Sequence, residues 1–223
     1  MGWRAIFFDA GNTLIFPTPE LFLAPLRRRS IGVTQEQLYA AEREAKRLQD
    51  EAATHGSVDH SFWNHFYSHL LGELGIQDGE LQAELIAAAR DSHSWMALQP
   101  GTRETLLRLK QRFRLGVISN ADGRIAQLFA KLGLADCFDS ITDSGLVGHE
   151  KPDGRIFAAA MQSLGAQAGE SVYVGDIYSV DYTGASAAGM TAVLFDRAGA
   201  YRDSGLPRVA SLGELEQWLN RGR

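Results

Sequence analysis

The sequence predicts an α/β fold: a Rossmann-like, three-layer core on a parallel sheet, with an all-helical cap domain inserted after the first strand. Three observations predict it. Short apolar runs at Ile6-Phe7-Phe8, Leu115-Gly116-Val117-Ile118 and Val172-Tyr173-Val174 alternate with segments of helical periodicity, the signature of crossover-connected parallel strands. Each run ends in a polar residue (Asp9, Ser119, Asp176), as strands do when they deliver side chains to the carboxyl edge of a buried sheet. From Glu20 to about Ala97 the pattern changes to apolar residues three and four apart, among them Leu38, Ala41, Ala45 and Leu48, with no strand in the segment.

Taken in order, residues 4–9 form the first strand, and Gly11-Asn12 breaks it with the two residue types most tolerant of positive φ. Phe16-Pro17-Thr18-Pro19 suits a stiff linker. The helical segment is expected to hold four helices, broken at Ser30 to Thr34, His55 to Ser61 and Gly75 to Gly79. After Pro100-Gly101, Thr102 is expected to cap a helix over 103–111, followed by a strand over 115–119, a helix over 123–132, a weak strand over 140–142 and a loop with Lys151-Pro152-Asp153. A helix over 155–164, a strand over 171–174, a helix over 182–188, a strand over 191–195 and a closing helix over 212–219 complete the reading. The predicted domains are residues 1–16 with 98–223 as the α/β core and 17–97 as the cap.

Composition narrows the function classes. The 223 residues are 45% hydrophobic and 22% charged, which suits a globular protein able to bury a full core. A net charge of −5 argues against nucleic acid as a partner, and Arg27-Arg28-Arg29 reads as a solvated helix face. No apolar stretch is long enough to span a bilayer, and Asp9 interrupts any signal-peptide pattern, so a cytoplasmic protein is expected. The single cysteine, Cys137, reads as a small buried hydrophobe. His55, His60, His65 and His69 resemble a metal cluster only superficially, because no acids accompany them at matching positions.

In a parallel sheet the strand ends share one crevice, so Asp9, Ser119, Lys151, Asp176 and Asp181 should converge. Two or three acids packed together repel unless a divalent cation joins them, and an oxygen-only site of this kind suits Mg²⁺. Lys151 can balance the remaining charge or clamp an anion.

These residues resemble the motifs of the haloacid dehalogenase superfamily, in the branch with a helical cap inserted after the first motif. The four motifs stand in order as Asp9 to Leu14, Ile118-Ser119-Asn120, Lys151-Pro152, and Gly175-Asp176 to Asp181 followed by Gly184-Ala185 and Ala188-Gly189-Met190. The resemblance implies a Mg²⁺-dependent phosphohydrolase acting on a small phosphorylated metabolite. Asp9 is then the nucleophile, Ser119 a hydrogen-bond donor to the phosphoryl group, and Lys151 the residue that stabilises its charge and orients Asp9. Ala10, Gly11, Asn12, Thr13 and Asn120 are expected to line the substrate, and Asp9, the Gly11 carbonyl, Asp176 and Asp181 to hold Mg²⁺, the last two directly or through water. One departure matters: phosphatases of this family carry a second Asp two residues after the nucleophile, as general acid and base, and here that position is Gly11. Members lacking that acid include dehalogenases, so a 2-haloacid dehalogenase is the first alternative, and Asp176 weighs against it because dehalogenases need no metal. A catalytically weak binding or regulatory protein is the second. Phosphonatase would require a cap lysine, and the one on offer, Lys46, reads as solvated.

Overall fold

Ile6, Phe7 and Phe8 put apolar side chains on both faces of a strand, a pattern that only a sheet covered on both sides can use. In the computed structural model, which describes residues 2–54 and 61–221, they lie in β1 (Ala5–Phe8), buried throughout. The helical segment follows as α1 (Pro19–Phe22), α2 (Ala24–Arg28), α3 (Gln35–Thr54), α4 (Phe62–Glu73) and α5 (Gly79–Arg90). The chain then runs through α6 (Thr102–Lys110), β2 (Arg114–Ser119), α7 (Ile125–Lys131), β3 (Ser140–Asp143), α8 (Ser144–Val147), α9 (Gly154–Leu164), β4 (Ser171–Gly175), α10 (Thr183–Ala187), β5 (Thr191–Phe195), β6 (Arg208–Val209) and α11 (Leu212–Arg221).

The six strands form one parallel sheet in the order β3-β2-β1-β4-β5-β6. The strand order reverses between β1 and β4, and a crevice opens at such a switch point beyond the carboxyl ends. Asp9 and Asp176 follow these two strands, so the topology alone sets them side by side. Alternation along the strands divides the core: Phe7 and its register partner Tyr173 face Ile156, Phe157, Ala160 and Leu164 of α9. Phe8 points the other way, edge-on to Phe138, which packs on Phe129 of α7.

The chain divides into two compact units, one of Met1–Ile15, Leu98–Asp196 and Asp203–Arg223, the other of Phe16–Ala97 and Arg197–Arg202. The second is helical. Ala41 and Ala45, four apart on α3, leave room for Phe66, Tyr67 and Leu70 of α4, and Leu81, Leu85 and Ala89 of α5 complete its core. Asp78 caps α5 by accepting from Leu81 N at 2.9 Å. Phe16 and Ala97, where the chain enters and leaves this unit, bond to each other in an antiparallel bridge.

Several elements differ from expectation. A sixth strand, β6, was not predicted, because two residues carry no periodicity. The first helix of the insertion splits into α1 and α2, with Pro25 opening the second. Thr102 lies inside α6, which is preceded by left-handed Gly101 at φ 76°, while Asp153 caps α9 through Arg155 N. The helix expected from Tyr182 begins instead as a π-helical turn, Tyr178–Tyr182, which runs into α10. Arg197–Arg202, expected in the core, packs with the helical unit: Arg43 donates to Ala198 O at 3.0 Å, Tyr201 Oη to Asp50 Oδ2 at 2.9 Å, and the Arg197 guanidinium lies over the Phe16 ring. Lys46, read as solvated, is buried, with Nζ 2.8 Å from Glu42 Oε1. The Arg27-Arg28-Arg29 run is solvated, with Arg28 and Arg29 paired to Glu84. His55, His60 and, except for Ser61, the helix break at 55–61 lie outside the described residues. No described helix is long and apolar enough to cross a membrane.

Gly116 stands opposite Phe7 in register, and a Cβ there would lie 2.6 Å from the Phe7 ring, on a strand with no slack to move. Gly116→Ala is therefore expected to destabilise the protein by about 1–3 kcal/mol. Urea unfolding checks this: the midpoint should fall while the slope is unchanged.

Candidate active site

Every predicted site residue lies in the α/β unit. β1 ends at Phe8, and Asp9 N donates to Val174 O at 2.8 Å, which fixes the nucleophile candidate beside the end of β4. The chain then turns within the loop, Leu14 N and Ile15 N both bonding to Ala10 O. The left-handed residue of this turn is Asn12, at φ 54°, and not Gly11. Asn12 N donates to Ile15 O at 2.8 Å, so one of the loop N–H groups expected on the substrate is used inside the loop. Thr13 is buried, and its Oγ1 has no hydrogen-bond partner among the described residues. Ser119 ends β2, buried at the same edge.

Lys151 is the centre of the site. Its Nζ is 2.5 Å from Asp9 Oδ1, 2.8 Å from Asp181 Oδ1 and 2.9 Å from Tyr173 Oη, and the side chain is 3% exposed. Three ammonium donors thus meet three oxygens. Asn120, expected to touch substrate, has its amide on the Lys151 backbone, with Lys151 N donating to Oδ1 at 2.7 Å and Nδ2 donating to Lys151 O at 3.0 Å. It positions the lysine loop. Asp181 sits within the π-helical turn, and its Oδ2 accepts from Ile177 N at 3.0 Å. Asp181 lies inside that turn and not ahead of it, so it is no helix cap.

The electrostatics follow from this sharing. Burial pushes the Asp9 carboxyl up to about 6; Lys151 opposes the rise and Asp181 adds to it. For Lys151, burial pulls the ammonium down, but Asp181 and Asp9 together outweigh it and leave it above its ordinary value. One cation divided between two acids cannot fully neutralise either.

Asp9, Asp176 and Asp181 each bring a carboxylate oxygen within 4.8 Å of the others, the only such group of His, Cys, Asp or Glu among the described residues. Three buried carboxylates against one ammonium leave a negative excess, and the donors are hard oxygens, so the residues fit a divalent cation. The histidines form no such group among the described residues; His65 Nε2 instead meets Ser61 Oγ at 2.9 Å. Tyr173 was missed by motif reasoning.

The fold and the site define the class, an α/β protein with buried carboxylates, two of them on a lysine, at the switch point of a parallel sheet. The chain belongs to the haloacid dehalogenase-like hydrolase family, whose model it matches over residues 3–189. It is 32% identical over 203 residues to a glyceraldehyde 3-phosphate phosphatase of Methanothermobacter thermautotrophicus, covering 86% of this chain and 84% of that one. The magnesium-bound HAD-hydrolase YfnB of Bacillus subtilis shares the fold with a TM-score of 0.69 at 20% identity, over 99% of this chain and 100% of that one. A 2-haloacid dehalogenase from Pseudomonas syringae is similar with a TM-score of 0.59 at 28% identity, over 99% and 100% of the two chains.

The raised Asp9 pKa has a definite sign. Without metal, the stability it confers is present below the unfolded value of 3.8 and is lost as pH rises through about 6, where the ionised form needed for metal binding takes over. A cation must displace the proton below that point. Mg²⁺ titrated into the protein by calorimetry should therefore bind about tenfold more weakly per pH unit below about 6. Asp9→Asn should bind weakly at every pH and lose that slope.

Proposed function

We propose that the protein is a Mg²⁺-dependent phosphohydrolase that acts on a small phosphorylated metabolite through an aspartyl phosphate at Asp9. The observation that carries this reading is the convergence of Asp9, Asp176 and Asp181, two of which, Asp9 and Asp181, bond to the Lys151 ammonium. Asp9, the Gly11 carbonyl and Asp176 are the assigned metal ligands, with Asp181 joining directly or through water. When bound, the ion supplies charge neutralisation for the transferring phosphoryl group.

The protein's own groups do the rest. Lys151 holds Asp9 Oδ1 and leaves the other carboxylate oxygen to attack phosphorus. The bond from phosphorus to the leaving oxygen breaks, and its electron pair departs with that oxygen. Ser119 and Lys151 stabilise the charge on the phosphoryl oxygens. Water then attacks the phosphorus of the aspartyl phosphate, releases inorganic phosphate and restores the carboxylate.

The phosphatase among the relatives supports phosphoryl chemistry, and the dehalogenase likeness supports the same aspartate nucleophile. Asp176 favours the first: an added acid beside Asp9 raises the cost of burying charge and serves no purpose in a metal-free displacement of halide.

Gly11 supplies no proton donor, so the leaving oxygen must depart as an anion or take its proton from water. The protein is expected to hydrolyse aryl and acyl phosphates far better than alkyl phosphate esters. Because Asn12 and not Gly11 carries the left-handed φ, Gly11→Asp faces no backbone penalty of that kind. The variant should gain mainly on alkyl phosphates, by up to about 10²- to 10⁴-fold. Steady-state kinetics on matched alkyl and aryl phosphates, with Asp9→Asn as blank, make the test. A wild type with equal kcat/KM on both classes would refute the assignment of Gly11 as the missing acid.

A further inference from the structure

Tyr173 lies in the middle of β4, fully buried, on the sheet face that packs against α9. Its ring stands edge-to-face on Phe157 with centroids 5.3 Å apart, and it reaches past the strand end to the catalytic lysine. The hydroxyl accepts from Lys151 Nζ at 2.9 Å and donates to Asp181 Oδ1 at 2.8 Å, the same oxygen that Lys151 contacts at 2.8 Å. Lysine, phenol and carboxylate thus close a triangle of hydrogen bonds, with Asp9 as the fourth member, attached only through the ammonium. Lys151 Nζ also lies 5.6 Å from the centre of the Tyr173 ring, so the aromatic body confines the ammonium as the hydroxyl orients it.

The phosphoryl reading, on which this inference rests, changes the load on that triangle. In the resting site Asp9 carries a negative charge that holds Lys151. Once Asp9 becomes a mixed anhydride with phosphate, its carboxyl loses that charge, and the attraction weakens when the lysine is needed at the phosphoryl oxygens. The other two partners keep their hold. We infer that Tyr173 is a positioning residue for phosphoryl transfer, its hydroxyl fixing the Lys151 ammonium in place while the charge on Asp9 is consumed.

Removal of the hydroxyl alone leaves the ring packing intact and one buried ammonium proton without an acceptor. Tyr173→Phe should lower kcat by about 10- to 100-fold, the span of one hydrogen bond to a charged group, with KM changed less than about threefold. The test follows radiolabelled para-nitrophenyl phosphate with Mg²⁺, by steady-state assay and by acid-quench trapping of label on the enzyme, in wild type, Tyr173→Phe, Phe157→Leu and Asp9→Asn. The inference expects label on wild type, none on Asp9→Asn, slower labelling of Tyr173→Phe in a protein whose melting temperature, though lowered, stays well above the assay temperature, and near-normal kcat for Phe157→Leu. It is overturned if Tyr173→Phe labels and turns over like wild type. It is also overturned if Phe157→Leu loses as much kcat, since ring packing would then be the cause. A wild type that turns over without label on Asp9 would instead overturn the phosphoryl reading, and the inference with it.

Discussion

The structure of the site depends on one buried ammonium divided among three oxygens. Lys151 meets Asp9, Asp181 and Tyr173, and each reaches it from a different element: the end of β1, the π-helical turn and the body of β4. Such an arrangement is a poor source of stability, because desolvating the charges costs about as much as their attraction returns. Removal of one partner is another matter: an uncompensated buried charge costs about 3–5 kcal/mol. The cluster therefore constrains the fold more than it stabilises it, and its neighbours are shaped to meet it.

Two glycines show that shaping. A Cβ on Gly175 would lie 2.4 Å from Asp181 Cγ, so only glycine lets the π-helical turn fold its carboxylate back over the strand end. A Cβ on Gly184 would meet the Phe157 ring at 2.8 Å and Pro152 Cα at 3.0 Å, so its bare backbone lets α10 approach α9 and the loop that carries Lys151. A π-helical turn is a costly device, found where a side chain must be aimed. Here it aims Asp181.

The sequence made the strand ends legible because a parallel sheet collects them at one edge: an apolar run that stops on Asp9, Ser119 or Asp176 announces both the strand and the side chain it presents. Tyr173 stayed hidden because tyrosine in an apolar run reads as a good strand former. The available signal was that a buried phenol must find a partner. Asn120 read as a ligand because it follows Ser119, whereas its amide is bound to backbone 31 residues away. Lys46 sits four residues after Glu42, a spacing that marks a solvated pair on most helices, and only tertiary packing buries it. The attachment of Arg197–Arg202 to the helical unit rests on contacts 155 and 151 residues apart in sequence, which no local pattern encodes. Asp153 was legible and passed over: an Asp directly before a Gly and an apolar helical run is a capping signal.

The division of Lys151 also decides what kind of nucleophile Asp9 is. A carboxylate paired with a lysine of its own is pulled well below its ordinary pKa and loses basicity along with its proton. Here burial lifts Asp9 most, Lys151, shared with Asp181, offsets only part of the rise, and the charge of Asp181 adds to it, leaving Asp9 at about 6. At pH 7 such a group is still mostly ionised, so it gains basicity at little expense in availability. Asp181, which holds the lysine for the phosphoryl group, therefore also helps to keep it from quenching the oxygen that must attack.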